Sequence, residues 1–285
     1  MNGILHQPFA RTLARVALAC TLAGTGLPAH SADPFRWPQG QRAAVSLAYD
    51  DALDSQLDTA IPALRRHRLL ASFYLQLSNP AVARRMPEWR AAAAHGHELG
   101  NHSLFHQCSG ALPDRAWVQP HRNVDTTSIA QMKDQLILAN TMLHALDGKT
   151  ERTFTTPCGD AQAADGDYLA AVKSEFVAIK ASSGSGVAES MEGLDPHAVQ
   201  VHAPVGASGK ELIELVKLAG TRGTMVNFTF HGVGGDYLSV SKAAHDELLT
   251  FLAANRARYW TAPFVTLMRH VRAEQLKEKS GRRSR

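Results

Sequence analysis

The chain has 285 residues, of which 45% are hydrophobic and 20% are charged. This composition excludes a disordered or fibrous chain, and the length is enough for one large domain with its own core. The net charge of +4 comes from the two ends of the chain. The body between them is slightly acidic, which argues against a basic face for nucleic acid.

The N-terminal segment 1–31 has the pattern of a secretory signal peptide. Two arginines precede an apolar stretch at 16–27 that is too short to span a bilayer, and residues 29–32 are small enough for cleavage. The alternatives are a short N-terminal helix of the domain and a lipoprotein site at Cys20. We expect export, with a periplasmic or secreted mature protein. No later segment predicts a membrane span.

Between residues 32 and 275 short β-prone runs alternate with helical stretches. Predicted strands lie at 43–49, 71–77, 97–100, 153–156, 176–179, 198–202, 224–230 and 258–261. Predicted helices lie at 55–68, 80–94, 126–146, 210–218, 243–255 and 264–270. This alternation is typical of parallel strands with crossover helices, so we predict an α/β fold, an irregular (β/α) barrel of about seven parallel strands in a single domain. Residues 276–285 are basic, and we expect a disordered tail there.

Polar or reactive residues follow four of the predicted strands. They are Asp50, Asp51, His102, His106, Cys158 and His231. Because the active sites of such barrels lie at the C-terminal ends of the strands, we expect these groups to converge.

Two histidines and a pair of carboxylates indicate a metal site. His102 and His106 are four residues apart, so on a helical turn their rings face the same way. With one carboxylate of Asp50 and Asp51 they give three ligands and leave a position open, as in catalytic metal sites. The other carboxylate is then a candidate general base. The constellation predicts a metal-assisted hydrolase.

Removal of the leader leaves two cysteines, Cys108 and Cys158. In an oxidising compartment these two thiols are candidates for a disulfide. The alternatives are two buried free thiols, or thiolate ligands of a metal.

Four segments resemble the polysaccharide deacetylases, the NodB-homology domain of carbohydrate esterase family 4. Residues 49–52, Tyr-Asp-Asp-Ala, lie where that family has Thr-Phe-Asp-Asp-Gly, and residues 96–106 match its Gly-His-Glu-x-Gly-Asn-His-Ser/Thr-x-x-His segment. Residues 154–159, Phe-Thr-Thr-Pro-Cys-Gly, lie where the family has Arg-Pro-Pro-Tyr-Gly. Residues 228–232 lie where a strand ends in the catalytic histidine. The resemblance covers roughly residues 40–270.

The resemblance implies a divalent metal, usually zinc, bound by Asp51, His102 and His106. Asp50 would then act as the general base that takes a proton from the attacking water.

The resemblance also implies that His231 is the general acid for the leaving amine, and that the backbone N–H of Cys158 helps to hold the oxyanion. The implied partner is an N-acetylated polysaccharide or oligosaccharide, which would be hydrolysed at its amide C–N bond. An O-acetyl esterase and a catalytically silent glycan-binding domain are the alternatives. No feature of the sequence predicts an oligomeric state.

The third motif departs from the family pattern. Thr155 lies where family members usually have an Arg that pairs with the catalytic base. Lys180, at the end of the predicted strand 176–179, is a candidate for a compensating cation that orients the base. The aromatic residues Trp117, Trp260 and Tyr237 are candidates for stacking on sugar rings, although a core or rim position is the simpler interpretation.

Overall fold

Ten β-strands build the fold in the computed structural model, which describes Met1 and residues 35–283. The predicted signal peptide lies outside this range apart from Met1. The strands are β1 Ala43–Asp50, β2 Ser72–Leu75, β3 Glu98–Asn101, β4 Thr153–Thr155, β5 Gln162–Ala163, β6 Gly166–Asp167, β7 Ala178–Ser183, β8 Val199–Val201, β9 Met225–Phe230 and β10 Tyr259–Thr261.

Strand β1 is the centre of the main sheet. It pairs in parallel with β9 on one side, and on the other with β10 near its start and β2 near its end. From β2 the parallel sheet continues through β3, β4, β7 and β8. A bridge between His202 and Phe228 brings the chain after β8 beside β9. Seven of these eight parallel strands curve into a nearly closed barrel, with β10 beside the start of β1, which confirms the predicted fold class.

Eight α-helices are present in the described chain, and most connect one strand to the next. They are α1 Ile61–Arg66, α2 Pro80–Arg84, α3 Met86–Ala94, α4 Ile129–Asp147, α5 Tyr168–Val172, α6 Gly209–Arg222, α7 Lys242–Ala254 and α8 Phe264–Arg283. Local sequence sets their ends. In α4, for example, Ser128 Oγ accepts the Gln131 N–H at 3.2 Å in a capping box, and Gly148 ends the helix at φ 70°.

Alternate side chains of β1 point to opposite faces of the sheet and join two different apolar clusters. Val45, Leu47 and Tyr49 join the apolar layer beneath the helices, whereas Ala44 and Ala48 belong to a second apolar cluster that includes residues of α8. All eight residues of β1 are buried because both faces of the strand are covered. The two-residue period of a strand therefore gives Asp50, the last residue of β1, the same face as Ala44 and Ala48.

Helix α8 begins at the end of the barrel where the strands start. The Phe264 N–H donates to Ser72 Oγ at 2.8 Å, and the Val265 N–H donates to Glu98 Oε2 at 2.9 Å. Ser72 and Glu98 are the first residues of β2 and β3. A buried carboxylate thus satisfies the N-terminus of this helix, at the opposite end of the strands from Asp50.

The C-terminal residues differ from the sequence prediction. Helix α8 continues to Arg283, so 276–283 is helical where a disordered tail was expected. The extension follows from a run of good helix formers with no proline, and Gln275 Nε2 donates to the backbone oxygens of Met191 and Leu194, each at 2.9 Å. Within residues 35–283, no helix combines the length and hydropathy that a bilayer crossing needs.

Candidate active site

A pocket of about 810 Å³ opens where the parallel strands end. Asp50 ends β1, His102 follows β3, and His231 follows β9. Seven of the eight predicted site residues line this pocket: Asp50, Asp51, His102, His106, Cys158, Lys180 and His231. The eighth, Cys108, was predicted only for the disulfide.

One carboxylate oxygen and two imidazoles converge in the pocket. Asp51 Oδ1 lies 3.2 Å from Nε2 of His102 and 3.2 Å from Nε2 of His106. His102 Nδ1 lies 2.7 Å from the Thr155 carbonyl oxygen. Because a carbonyl only accepts, this bond places a proton on Nδ1 and turns the Nε2 lone pair of the neutral ring toward Asp51.

This cluster fits a divalent metal ion. Ligands at about 2.0–2.1 Å from a tetrahedral zinc are about 3.3 Å apart, close to the observed separations. The Nε2 of neutral His102 and Asp51 Oδ1 are both acceptors, and such atoms approach each other this closely only around a cation or a shared proton. Asp51, His102 and His106 are the residues that could hold the ion.

The electrostatics of the cluster are consistent with this fit. Burial opposes charge on His102, but Asp50 and Asp51 outweigh it and raise the pKa of His102 to about 9. Burial also opposes charge on Asp51, yet hydrogen bonds with His102 and His106 hold the pKa of this carboxyl well below its usual range. A proton and a metal would therefore compete for the same place.

The backbone around these ligands is strained. Asp51, Ala52, Ser103 and His106 have φ angles of 81°, 59°, 62° and 52°, in the left-handed region that non-glycine residues rarely adopt. Asn101 Oδ1 accepts the Ser103 N–H at 2.7 Å, and Ser103 Oγ accepts the His106 N–H at 2.9 Å. The two histidines thus meet through an irregular turn. The helical turn that their spacing predicted is absent, because side-chain acceptors bind the N–H groups of this turn.

Asp50 is a buried carboxylate with few partners. Its Oδ1 has no hydrogen-bond partner among the described residues, and its Oδ2 lies 3.9 Å from His102 Nε2. Burial raises the pKa of Asp50, while the charges of His102, His231 and Lys180 oppose the rise. The side chain is therefore available as a proton acceptor.

Lys180 is buried inside the barrel, in register with Thr155 of the neighbouring strand. Its Nζ donates to Ser46 Oγ at 3.1 Å and to the Phe228 carbonyl oxygen at 3.4 Å. Burial lowers the pKa of Lys180 to about 8, against the opposing influence of Asp50 and Glu98. Within the described chain Lys180 makes no hydrogen bond to Asp50, so its charge acts on this carboxylate through space.

The loop after β9 brings His231 and Tyr237 to the cluster of Asp51, His102 and His106. Tyr237 Oη donates to Asp51 Oδ2 at 2.8 Å, and His231 Nε2 lies 3.9 Å from the same oxygen. The loop requires glycine at 232, where a Cβ would lie 2.1 Å from the Gly235 carbonyl oxygen. The charge of Asp51 and, above all, burial raise the pKa of Tyr237, so the phenol remains a donor.

A disulfide joins Cys108 to Cys158, with the two Cα atoms 5.8 Å apart. It ties the loop 107–125 to the end of β4, and it makes both sulfurs unavailable as thiolate ligands. Cys158 has φ 58°, and its backbone N–H finds no acceptor among residues 35–283. Cys158 is one of the residues that line the pocket.

Three residues that sequence reasoning missed hold the site together. Gln56 Nε2 donates to the carbonyl oxygens of Asp50 at 2.5 Å and His231 at 3.2 Å, joining the ends of β1 and β9. Asn79 Nδ2 donates to the Asp51 carbonyl oxygen at 2.8 Å. Tyr237, the third, was considered only for sugar stacking. Asn79 and Tyr237 are polar residues in loops that follow a strand, whereas Gln56 begins the helical segment Gln56–Ala60 and carries no such signal.

The other two candidates for stacking on sugar rings, Trp117 and Trp260, lie in different places. Trp117 lines the pocket with more than half of its surface exposed, whereas Trp260 lies in β10 beside Trp37 and outside the pocket.

Fold and site together define a (β/α) barrel with an Asp-His-His cluster that fits a metal and a second carboxylate beside it. The sequence pattern of one family, described as polysaccharide deacetylase, matches residues 37–175. Residues 37–175 of this chain thus belong to the polysaccharide deacetylase family.

Solved structures share the fold. A polysaccharide deacetylase structure from Mycobacterium smegmatis superposes with a TM-score of 0.55 at 15% identity, covering 85% of this chain and 94% of that one. A mutant of a CE4 family pseudoenzyme from Bacillus anthracis gives a TM-score of 0.50 at 16% identity, covering 84% and 71% of the two chains. No curated protein sequence matches the chain significantly.

Proposed function

We propose that this protein is a metal-dependent deacetylase that removes acetyl groups from an N-acetylated polysaccharide or oligosaccharide. The observation that carries the proposal is the convergence of Asp51 Oδ1 with Nε2 of His102 and His106, each 3.2 Å away. Beside them lies Asp50, whose Oδ1 has no hydrogen-bond partner in the described chain. Family membership supports the reaction class.

Asp51, His102 and His106 would hold the ion, and two imidazoles with one carboxylate suit zinc. Such an ion, when bound, polarises an acyl carbonyl and makes water more acidic. Tyr237 would fix the ligand carboxylate by capping its Oδ2, which leaves Oδ1 turned toward the two imidazoles.

Asp50 would take the proton from the attacking water. Its pKa is raised by burial, which brings this carboxylate closer to the proton affinity that a base needs near neutral pH. Lys180 would replace the missing Arg of the family by keeping Asp50 ionised through space. Its buried position, in register with Thr155, supports this role.

The remaining roles fall to the pocket wall. The N–H of Cys158 would donate to the oxygen of the tetrahedral intermediate, since no acceptor in the described chain competes for it. His231 would give a proton to the departing nitrogen. Its Nδ1 is buried without a partner in the described chain, so its tautomer is not fixed by a hydrogen bond.

We also propose that the protein is exported to the periplasm or the exterior. The leader pattern in residues 1–31 supports this, and so does a disulfide, which persists in oxidising compartments. The N-terminal sequence of the protein recovered from its source should start near residue 32. A start at Met1 would contradict export by cleavage.

Acetate release tests the function. Protein stripped with a chelator and then reloaded with zinc should release acetate from N-acetylglucosamine oligomers, and the stripped protein should not. Release from acetylxylan alone would instead establish an O-acetyl esterase. Binding of zinc and glycan without release from any substrate would establish a silent domain.

Metal content tests the ligands. Asp51→Ala, His102→Ala and His106→Ala should each lower the zinc content measured by emission spectroscopy. His95→Ala is the matched control, since His95 is exposed and outside the pocket. Zinc at the wild-type level in all three ligand variants would overturn the assignment.

A further inference from the structure

The charges in the pocket are not all used by the proposed chemistry. Apart from histidines, the charged residues that line it are the carboxylates Asp50 and Asp51 and the cations Arg122 and Lys180. A divalent ion would balance the two carboxylates, and Glu98 also acts on Lys180, which leaves Arg122 as the uncompensated cation among the described lining residues. A pocket with this balance attracts a negatively charged ligand.

Arg122 is held in the pocket wall by its backbone. It ends a short 3₁₀ turn, Pro120–Arg122, and its carbonyl oxygen accepts the Cys108 N–H at 3.2 Å, next to the disulfide. Its guanidinium has one long contact, from Nη2 to Ser78 Oγ at 3.4 Å. The hydroxyl of Ser78 also accepts from Gln76 Nε2 at 3.2 Å, and Gln76 lines the pocket too.

Other arginines near the strand ends are paired. Arg115 Nη1 binds Asp160 at 2.5 Å, and Arg85 Nη2 binds Asp58 at 2.6 Å. Within residues 35–283, by contrast, no carboxylate lies within ion-pair distance of Arg122. A guanidinium presents a planar fork that matches a carboxylate with two parallel hydrogen bonds.

We propose that Arg122 binds the carboxylate of an acidic sugar, so that the substrate is an acetylated glycan bearing carboxylate groups. The acetyl part of this inference rests on the proposed function, whereas recognition of the carboxylate rests on Arg122 itself. A pocket of about 810 Å³ has the size of sites that enclose most of a small ligand. It can therefore hold an acetylated sugar at the metal cluster and an acidic group at Arg122.

Binding calorimetry on the zinc-loaded protein tests the inference. The probes are an oligosaccharide containing uronic acid and the same oligosaccharide after reduction of its carboxyl groups. The wild type should bind the acidic probe about tenfold more tightly, as expected for charge-assisted hydrogen bonds. Arg122→Gln should remove this preference, and Arg122→Lys should retain part of it because charge remains without the fork.

Arg65→Gln is the matched control, because it removes the same charge from an exposed arginine outside the pocket. It should keep the wild-type preference. Equal binding of the two probes by the wild type would overturn the inference. Survival of the preference in Arg122→Gln would also overturn it, since the carboxylate would then bind to another group such as the metal.

Acetate release from a neutral acetylated oligosaccharide separates the two proposals. Release without any preference for the acidic probe would leave the proposed function standing and overturn the role of Arg122. An Arg122-dependent preference without any release would support Arg122 and contradict the proposed function.

Discussion

Two buried carboxylates at opposite ends of the barrel strands have contrasting surroundings. Glu98, at the start of β3, accepts hydrogen bonds from Thr153 Oγ1 at 2.6 Å, Ser72 Oγ at 2.6 Å and the Val265 N–H at 2.9 Å. Asp50, at the end of β1, has an Oδ1 with no partner in the described chain. The barrel thus satisfies one carboxylate completely and leaves the other exposed to the pocket.

Lys180 lies between these two groups, and the charges of both act on it. Its burial would be costly without them. This contrast indicates that a buried acid whose oxygens are saturated with donors is structural, whereas one with a free oxygen can accept a proton.

The largest effect is expected for Asp50→Asn. Acetate release should fall by about 10²–10⁴-fold, because an amide cannot accept the proton from water. Zinc content should remain, and the free energy of unfolding should change little because Oδ1 has no donor to lose. The measurements are initial rates, emission spectroscopy and urea unfolding. If zinc were lost instead, the roles of Asp50 and Asp51 would have to be exchanged.

The matching change at the other end is Glu98→Gln. The amide N–H₂ of the glutamine would face hydroxyl and N–H donors that now bind the carboxylate, and two donors cannot form a hydrogen bond with each other. The free energy of unfolding should therefore fall by about 2–4 kcal/mol. Protein that remains folded at low temperature should still release acetate. Urea unfolding of this variant beside Asp50→Asn gives the comparison directly. Equal stability of the two amide variants would contradict the structural role of Glu98.

A smaller effect, on zinc affinity, is expected for Tyr237, which contacts the Asp51, His102 and His106 cluster through Asp51. Tyr237→Phe removes the donor to Asp51 Oδ2 and should weaken zinc binding by about 10–100-fold. Competition with a chromophoric chelator measures this affinity. Leu238→Ala, a change at the next residue of the same loop, controls for disturbance of the loop. An unchanged zinc affinity in Tyr237→Phe would show that this bond does not position the ligand.

The smallest catalytic effect is expected for Lys180→Met. The charge of Lys180 lowers the pKa of Asp50, so its removal should raise that pKa further. Because Asp50 must be ionised to act as a base, the acidic limb of the pH–rate profile should move to higher pH. If the acidic limb of the pH–rate profile did not move, Lys180 would not be the group that replaces the missing Arg.

Much of the fold could be predicted from the sequence. The β-prone runs and helical periods placed all seven barrel strands, because alternating apolar runs with crossover helices allow few arrangements. The helical end of the chain was missed, because charge at a terminus indicates solvation and says little about helix propensity. Met191 and Leu194, which accept from Gln275, are distant in sequence.

The site was predictable as a set of residues but not as a geometry. Strand ends identified seven of the residues that line the pocket. The turn that joins His102 to His106 depends on left-handed residues and on Asn101, and neither has a spacing pattern. Gln56 could not be predicted either, because its side chain binds the backbone carbonyl oxygens of Asp50 and His231, and every residue type carries such an oxygen.

Most of the backbone strain in the described chain lies at the open end of the barrel, at the residues that form the candidate site. Ten non-glycine residues in the described chain have positive φ, and seven of them lie at or beside the pocket: Asp51, Ala52, Ser103, His106, Cys158, Asp236 and Leu238. Each such residue costs of the order of 1 kcal/mol. Substitutions that raise thermostability are therefore expected first among these seven residues. Ala52→Gly should raise the melting temperature by relieving φ 59° while loosening the neighbouring ligand Asp51.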